Sequence, residues 1–228
     1  MGVYAGPEIV ENGLVLALDA GNRKSYSGSG TTWTDLSGNG NNGTLTNGPT
    51  YSSSNGGSVV FDGTNDYVIT TRPSSITTGG NISICMYAKW TTKSGNTISD
   101  IQILLDNNHT GTQGFVIQDR PDLSGKPLTA SGNLSSTFTV GDGNWHFIAI
   151  TISGTTEARM YIDGSLNHST SNTGSGIRTV QPNISIGYWQ NGGRYLNGNV
   201  AQVSIYNRAL TAAEVQQNFN ALRGRFGI

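Results

Sequence analysis

Asn81-Ile82-Ser83-Ile84-Cys85-Met86-Tyr87-Ala88-Lys89-Trp90 decides the fold class. Ile82, Ile84, Met86, Ala88 and Trp90 fall on one face, and Ser83, Cys85, Tyr87 and Lys89 on the other. Period two over this length marks a β-strand, because a helix would scatter the same apolar positions around its circumference. The strand also fixes Cys85 as a mid-strand packing thiol rather than a nucleophile.

Outward from this strand the theme repeats. Leu14–Asp19 reads as a strand with Leu14, Leu16 and Leu18 on one face. Ser58–Phe61 and Asp66–Thr70 follow. Ile101–Leu105 and Phe115–Gln118 read as a pair with a turn near Asn107-Asn108. Trp145–Ile152 is apolar almost throughout, so cover is expected on both of its faces. Ala158–Ile162 runs into Asp163-Gly164, a hairpin dipeptide. Asn183–Trp189 and Val200–Tyr206 bring the expected total to about ten to twelve antiparallel strands.

One helix closes the chain. Thr211-Ala212-Ala213-Glu214 is a capping box, flanked by Leu210 and Val215 at hydrophobic-staple spacing. The helix is expected over 211–222, with Ala212, Val215, Phe219 and Leu222 on its docking face. Gly224 stands where a left-handed terminal residue belongs. Residues 1–12 read as an arm, 13–223 as one all-β domain with its helix, and 224–228 as a loose tail. Neither arm nor tail is expected to hold core residues.

Composition supports turn-rich β structure. Glycine supplies 32 of 228 residues, and Gly, Ser, Thr and Asn together make nearly half the chain. Only 12% of residues are charged and the net charge is −1, without a basic stripe, so nothing recruits nucleic acid. The apolar runs are too short for a membrane helix, which needs about 20 residues. A single cysteine allows no internal disulfide, which points to folding in a reducing cytosol. The first residues lack the basic and apolar segments of a secretory signal.

Four kinds of chemistry can be weighed from the residues. Glycosidase work needs paired carboxylates. The four glutamates, Glu8, Glu11, Glu157 and Glu214, fall in the arm, a turn and the helix cap, so the chain is expected not to be an enzyme. His109, His146 and His168 form no triad or zinc spacing. Asp35-x-Ser37-x-Asn39-x-Asn41 sets oxygen-bearing side chains at alternate positions. These could serve calcium if Asp62, Asp66 or Asp19 joined, or could simply be an Asx-turn. Tyr188-Trp189-Gln190-Asn191-Gly192-Gly193-Arg194-Tyr195 combines rings, amides and a guanidinium in one loop. Sugars need stacking faces and hydroxyl partners, so Trp189, Asn191, Arg194 and Tyr195 are the candidate glycan residues. The alternative is that Tyr188 and Trp189 only cover the edge of the core.

Several motifs occur in a fixed order. They are Gly13-Leu-Val-Leu-Ala-Leu-Asp19-Ala, Trp33-Thr-Asp35-Leu-Ser37-Gly-Asn39-Gly-Asn41-Asn-Gly43 and Phe61-Asp62-Gly-Thr-Asn-Asp66-Tyr67-Val68. Asn144-Trp145-His146-Phe147, Tyr161-Ile162-Asp163-Gly164 and Gly198–Glu214 follow. Over residues 13–216 the set resembles the laminin-G-like branch of the concanavalin A-like jelly rolls. The resemblance implies an antiparallel two-sheet β-sandwich with one short C-terminal helix. It also implies calcium in many relatives, although Ala201-Gln202 stands where such relatives carry an acidic pair.

The wording of the first and last motifs is similar to structural proteins of tailed phages, marine ones especially. That similarity implies a non-enzymatic virion structural protein, as capsid decoration or tail appendage. It would be assembled with itself and other virion proteins in the host cytoplasm and displayed on the particle surface, where it could meet glycans. The alternative is a free, extracellular carbohydrate-binding lectin, with or without calcium.

Overall fold

A computed structural model describes residues 8–95, 97–107, 114–122, 128–130 (backbone only), 134–137, 139–171, 177 and 180–228. The strands in chain order begin β1 Leu14–Asp19, β2 Thr32–Trp33, β3 Gly43–Thr46, β4 Thr50–Ser52, β5 Ser58–Asp62 and β6 Tyr67–Thr71. They continue with β7 Ile82–Thr91, β8 Gln102–Asp106, β9 Val116–Asp119, β10 Leu128–Ala130 and β11 Leu134–Ser135. The last are β12 Asp142–Ser153, β13 Glu157–Ile162, β14 Ser165–Thr170, β15 Asn183–Ile186 and β16 Asn197–Tyr206, before helix α1 Ala212–Phe226.

Two antiparallel sheets face each other. The first runs β14-β13-β12-β7-β16-β5-β4, with β1 also paired to β16. The second runs β11-β10-β9-β8-β15-β6-β3-β2. The long β16 holds β7 along one side and shares its other side between β5 and β1. This is the expected all-β sandwich with a C-terminal helix. The extra strands, β2, β3, β4, β10, β11 and β14, are two to six residues long and rich in hydroxyl and amide side chains, so they show no clear apolar alternation.

Ile82, Ile84, Met86, Ala88 and Trp90 of β7 enter the core between the sheets, with Ile148, Ile150 and Ile152 of β12 and Ile184 and Ile186 of β15. Cys85 and Tyr87 point the other way, with Phe147 and Ala149, into a second apolar layer roofed by α1. That roof explains why β12 reads as apolar on both faces. Burial also pushes the Cys85 thiol up to about 12, so it stays protonated and inert.

Four sequence expectations need correction. In β1, a bulge between Leu14 and Leu16 turns Leu14 to the helix side, while Leu16 and Leu18 enter the core. The helix does not end at 222. It runs to Phe226, Gly224 is inside it, and the left-handed cap is Gly227 at φ 72°. The tail is therefore packed. Phe226 is buried against Tyr87 and Trp145, and Arg225 pairs with Asp19 of β1 at 2.9 Å. The described part of the arm is held too. Val10 is buried and its N–H donates to Asn218 Oδ1 at 2.8 Å, while Asn218 Nδ2 donates to the Tyr206 hydroxyl. Asn218, not the exposed Ala212, completes the docking face with Val215 and Phe219. The capping box forms as expected.

Candidate functional site

The outer face of the second sheet carries the site. Register fixes which side chains point there. Ser185 lies opposite Asp106, and Asp106 opposite Val116, while their neighbours Ile186, Leu105 and Ile117 fill the core. Ile101, Ile103 and Val116 thus form a small apolar floor on the outside. Residues 188–195 fold over it as a hairpin.

The hairpin is locked in four ways. Tyr188 and Tyr195 form a β-bridge, and Trp189 N–H donates to the Arg194 carbonyl at 3.0 Å. Ser185 Oγ donates to the Tyr188 carbonyl at 2.6 Å. Gln190 N–H reaches Asp106 Oδ2 at 3.4 Å, over a carboxylate that is fully buried. Trp189 packs on the Ile101–Ile103–Val116 floor. Gly192 is required here, because a Cβ on it would come within 2.4 Å of the Trp189 ring.

Tyr67, Tyr188 and Tyr195 stack in series, with ring centroids 4.9 Å apart at 29° and 5.0 Å apart at 13°. Tyr188 is the central ring. Its hydroxyl pKa is raised by burial, then by the neighbouring Tyr195 and Tyr67, so it remains neutral. The Arg194 guanidinium sits over the Trp189 ring, 4.3 Å from its centroid. Arg120 and Asp122 stand near enough for Arg194 to feel both charges. Those two grip each other through two bonds, of 2.9 and 2.5 Å. Asn191 is exposed at the tip.

Of the expected glycan residues, the hairpin brings Trp189 and Arg194 together on one side, sets Tyr195 with Tyr188 on the other and leaves Asn191 at the tip, with one change of role. The Trp189 ring serves as a pedestal for Arg194, and Tyr195 is the ring at the end of a stack. Tyr67, Arg120 and Asp122 were not legible as neighbours, since they come from distant strands and no local pattern signals the contact.

The calcium candidates behave differently. Asp35 is buried, and its carboxylate accepts from Ala17 N–H, Ser37 N–H, Ser37 Oγ and Asn41 N–H at 2.8–3.0 Å. Asn39 donates from its backbone and its side chain to Ser37 Oγ, and Asn41 Nδ2 donates to the Val15 carbonyl. Asp62 organises its own turn by accepting from Thr64 N–H at 2.7 Å, and Asp66 caps Asp62 N–H. Asp19 belongs to Arg225. No group of three or more His, Cys, Asp or Glu able to hold a metal occurs among the described residues. With its one carboxylate saturated by protein donors, the 35–41 loop does not fit calcium, which wants six to eight free oxygens.

His146 Nδ1 lies 2.8 Å from Asp163 and its Nε2 3.2 Å from Asp142, whereas His168 Nδ1 accepts from Ser135 N–H. His109 lies outside the described residues. A separate groove of about 400 Å³ opens between the arm, β1 and α1, with Glu8, Glu11, Leu14, Leu36 and Leu222 among its walls. It is on the opposite face of the sandwich from the hairpin.

Comparison with known proteins places this geometry in context. The family described as the concanavalin A-like lectin/glucanases superfamily matches residues 62–216. No curated protein matches the sequence. The fold is similar to the binding domain of Paraclostridial Mosquitocidal Protein 1, with TM-score 0.68 and 20% identity over 92% of this chain and 52% of that one. It is also similar to a botulinum neurotoxin serotype D ligand-binding domain in complex with N-acetylneuraminic acid, with TM-score 0.67, 12% identity and 92% and 51% coverage. A third likeness is to botulinum neurotoxin type C, which depends on interaction with two ganglioside molecules to get into cells. There the TM-score is 0.69, with 16% identity and 93% and 52% coverage. The chain spans about half the length of these structures, and at such identities the likeness is one of fold.

Proposed function

The chain belongs to the concanavalin A-like lectin/glucanases superfamily, and from that premise we propose that it is a non-catalytic glycan-recognition module whose ligand lies on the 188–195 hairpin. The observation that carries the reading is the hairpin itself. One short hairpin carries a guanidinium braced on an indole along one side, a ring at the end of an aromatic stack along the other, and an exposed amide at its tip. A sugar needs an apolar face to stack on and polar partners for its hydroxyls, and preorganised groups lose little entropy on binding. The glycan partners of the similar toxin domains support the reading at the level of fold.

Two of the glutamates support a non-catalytic role. Glu214 is held by Arg208 and the Thr211 cap, which lower its pKa to about 2, so it cannot donate a proton near neutrality. Glu157 pairs with Arg159 at 2.6 Å. Glu214 is therefore not poised as a general acid, whose pKa must lie near the working pH.

The test is a glycan array followed by titration calorimetry on the hits. Tyr195→Ala should remove binding while leaving the melting temperature near wild type. Blank arrays, or binding indifferent to Tyr195→Ala and Asn191→Ala, would refute the reading. The wider setting we propose, on the motif resemblance alone, is a virion surface. There the module would act as capsid decoration or tail appendage in several copies. Light scattering that finds a monomer, together with its absence from purified particles, would defeat that setting in favour of a free lectin.

A further inference from the structure

We propose that the glycan recognised by the hairpin is an acidic one, and that Arg194 receives the carboxylate of its sugar. The inference rests on the glycan reading above and adds the chemical class of the ligand.

The argument begins with charge accounting. Every Asp and Glu of the sequence lies among the described residues. Arg120, Arg159, Arg208 and Arg225 each hold a carboxylate. Arg23 and Arg72 donate to backbone carbonyls. The Arg194 guanidinium has neither kind of partner among the described residues, only the Trp189 ring. Arg223 also lies over a ring, that of Phe219, but it is exposed on the helix and keeps its water. Arg194 is half-buried.

The local balance points the same way. Asp122 is taken by Arg120, and the buried Asp106 beneath the hairpin faces the Gln190 N–H, so neither carboxylate is paired with Arg194. Partial burial, then repulsion from Arg120, pull the Arg194 pKa below the ordinary guanidinium value, with Asp122 opposing. An arriving anion would relieve both effects.

The geometry suits a carboxylate. A guanidinium engaged with a ring through its face keeps its five N–H donors in plane for a planar, two-oxygen acceptor. Trp189 cannot drift, because Gly192 and the apolar floor hold it. The donors are thus fixed before the ligand arrives.

The experiment compares acidic glycans with neutral partners of the same skeleton. The probes are 3′-sialyllactose against lactose, and oligogalacturonate against its methyl ester. Calorimetry at low salt should show the acid of at least one pair bound about tenfold tighter or more, as expected for a charge-assisted bond. The advantage should shrink as salt rises. Arg194→Gln should reduce the acid to the level of its neutral partner, and Arg194→Lys should restore part of the difference. If acid and neutral partner bind alike and Arg194→Gln weakens both equally, the glycan reading survives and this inference falls. Preference for a sulfated analogue over the carboxylate would also overturn it. If no glycan of either kind binds, both readings fall. Thermal melting of each variant shows that the fold is intact, and Arg194→Lys carries the comparison should Arg194→Gln not fold.

Discussion

Replacing Phe226 by alanine asks whether the last turn of α1 belongs to the folded body. The side chain is 7% exposed, and its ring lies 4.5 Å from Tyr87 at 19° and 4.7 Å from Trp145 at 45°. Truncating a buried phenylalanine costs about 3–5 kcal/mol. Because the ring keeps an edge in solvent, the low end, about 3 kcal/mol, is expected. In a domain of this size each kcal/mol moves the melting temperature by about 2–4 °C, which gives a fall of roughly 6–12 °C. Scanning calorimetry at fixed pH measures the fall. A cycle with Tyr87→Leu should show a coupling of about 0.5–1.5 kcal/mol for the stacked pair. A fall under about 2 °C, or no coupling, would refute the packing argument, because a frayed terminus costs nothing to truncate.

Three further outcomes are expected. Gly224→Ala should raise stability by about 0.5–1 kcal/mol, since Gly224 is exposed inside a helix; a loss on thermal melting would mean that it needs a left-handed conformation after all. Asp35→Ala should cost about 2–4 kcal/mol in urea unfolding by orphaning Ala17 N–H and opening the loop, and a chelator should leave the wild-type melting temperature where it is; a chelator-induced fall would show that a cation does enter. The His146 pKa is raised, chiefly by its bond to Asp163, so its contribution is complete below the unfolded value near 6.5 and fades as pH climbs through the folded value. The gap in melting temperature between wild type and His146→Gln should thus be wider at pH 6 than at pH 9; a gap that widens with pH would reverse the assignment.

The sheet framework was legible because long strands carry their burial in their spelling. β7 shows in its alternation which side chains meet the core, β12 shows that both of its faces are covered, and the Thr211 capping box announces the helix start. What escaped was set by contacts remote in sequence. Gly224 looked like a stop because local rules favour glycine at a helix end, yet Phe226 gains more by docking on Tyr87 and Trp145 than the helix loses at one exposed glycine. The 35–41 loop shows alternating oxygens, and only the structure reveals that backbone N–H groups had already claimed its one carboxylate, Asp35. At the hairpin, the loop's own residues were readable as a group. The stack with Tyr67 and the neighbouring Arg120–Asp122 pair were not, since they join residues from separate strands.

The two stretches nearest the chain ends lie on the same side. Glu8–Asn12 and the end of α1 both rest on the outer face of the first sheet, tied through Asn218, Gln217 and Arg225. The hairpin lies on the outer face of the second sheet, with the whole thickness of the sandwich between. A tether attached at either end would therefore hold the module by its back and leave Arg194 and Tyr195 facing away from the support. Immobilising it on a sensor chip through an end tag, or fusing it to a larger scaffold there, keeps the binding face clear, whereas coupling through random amines gives no such orientation.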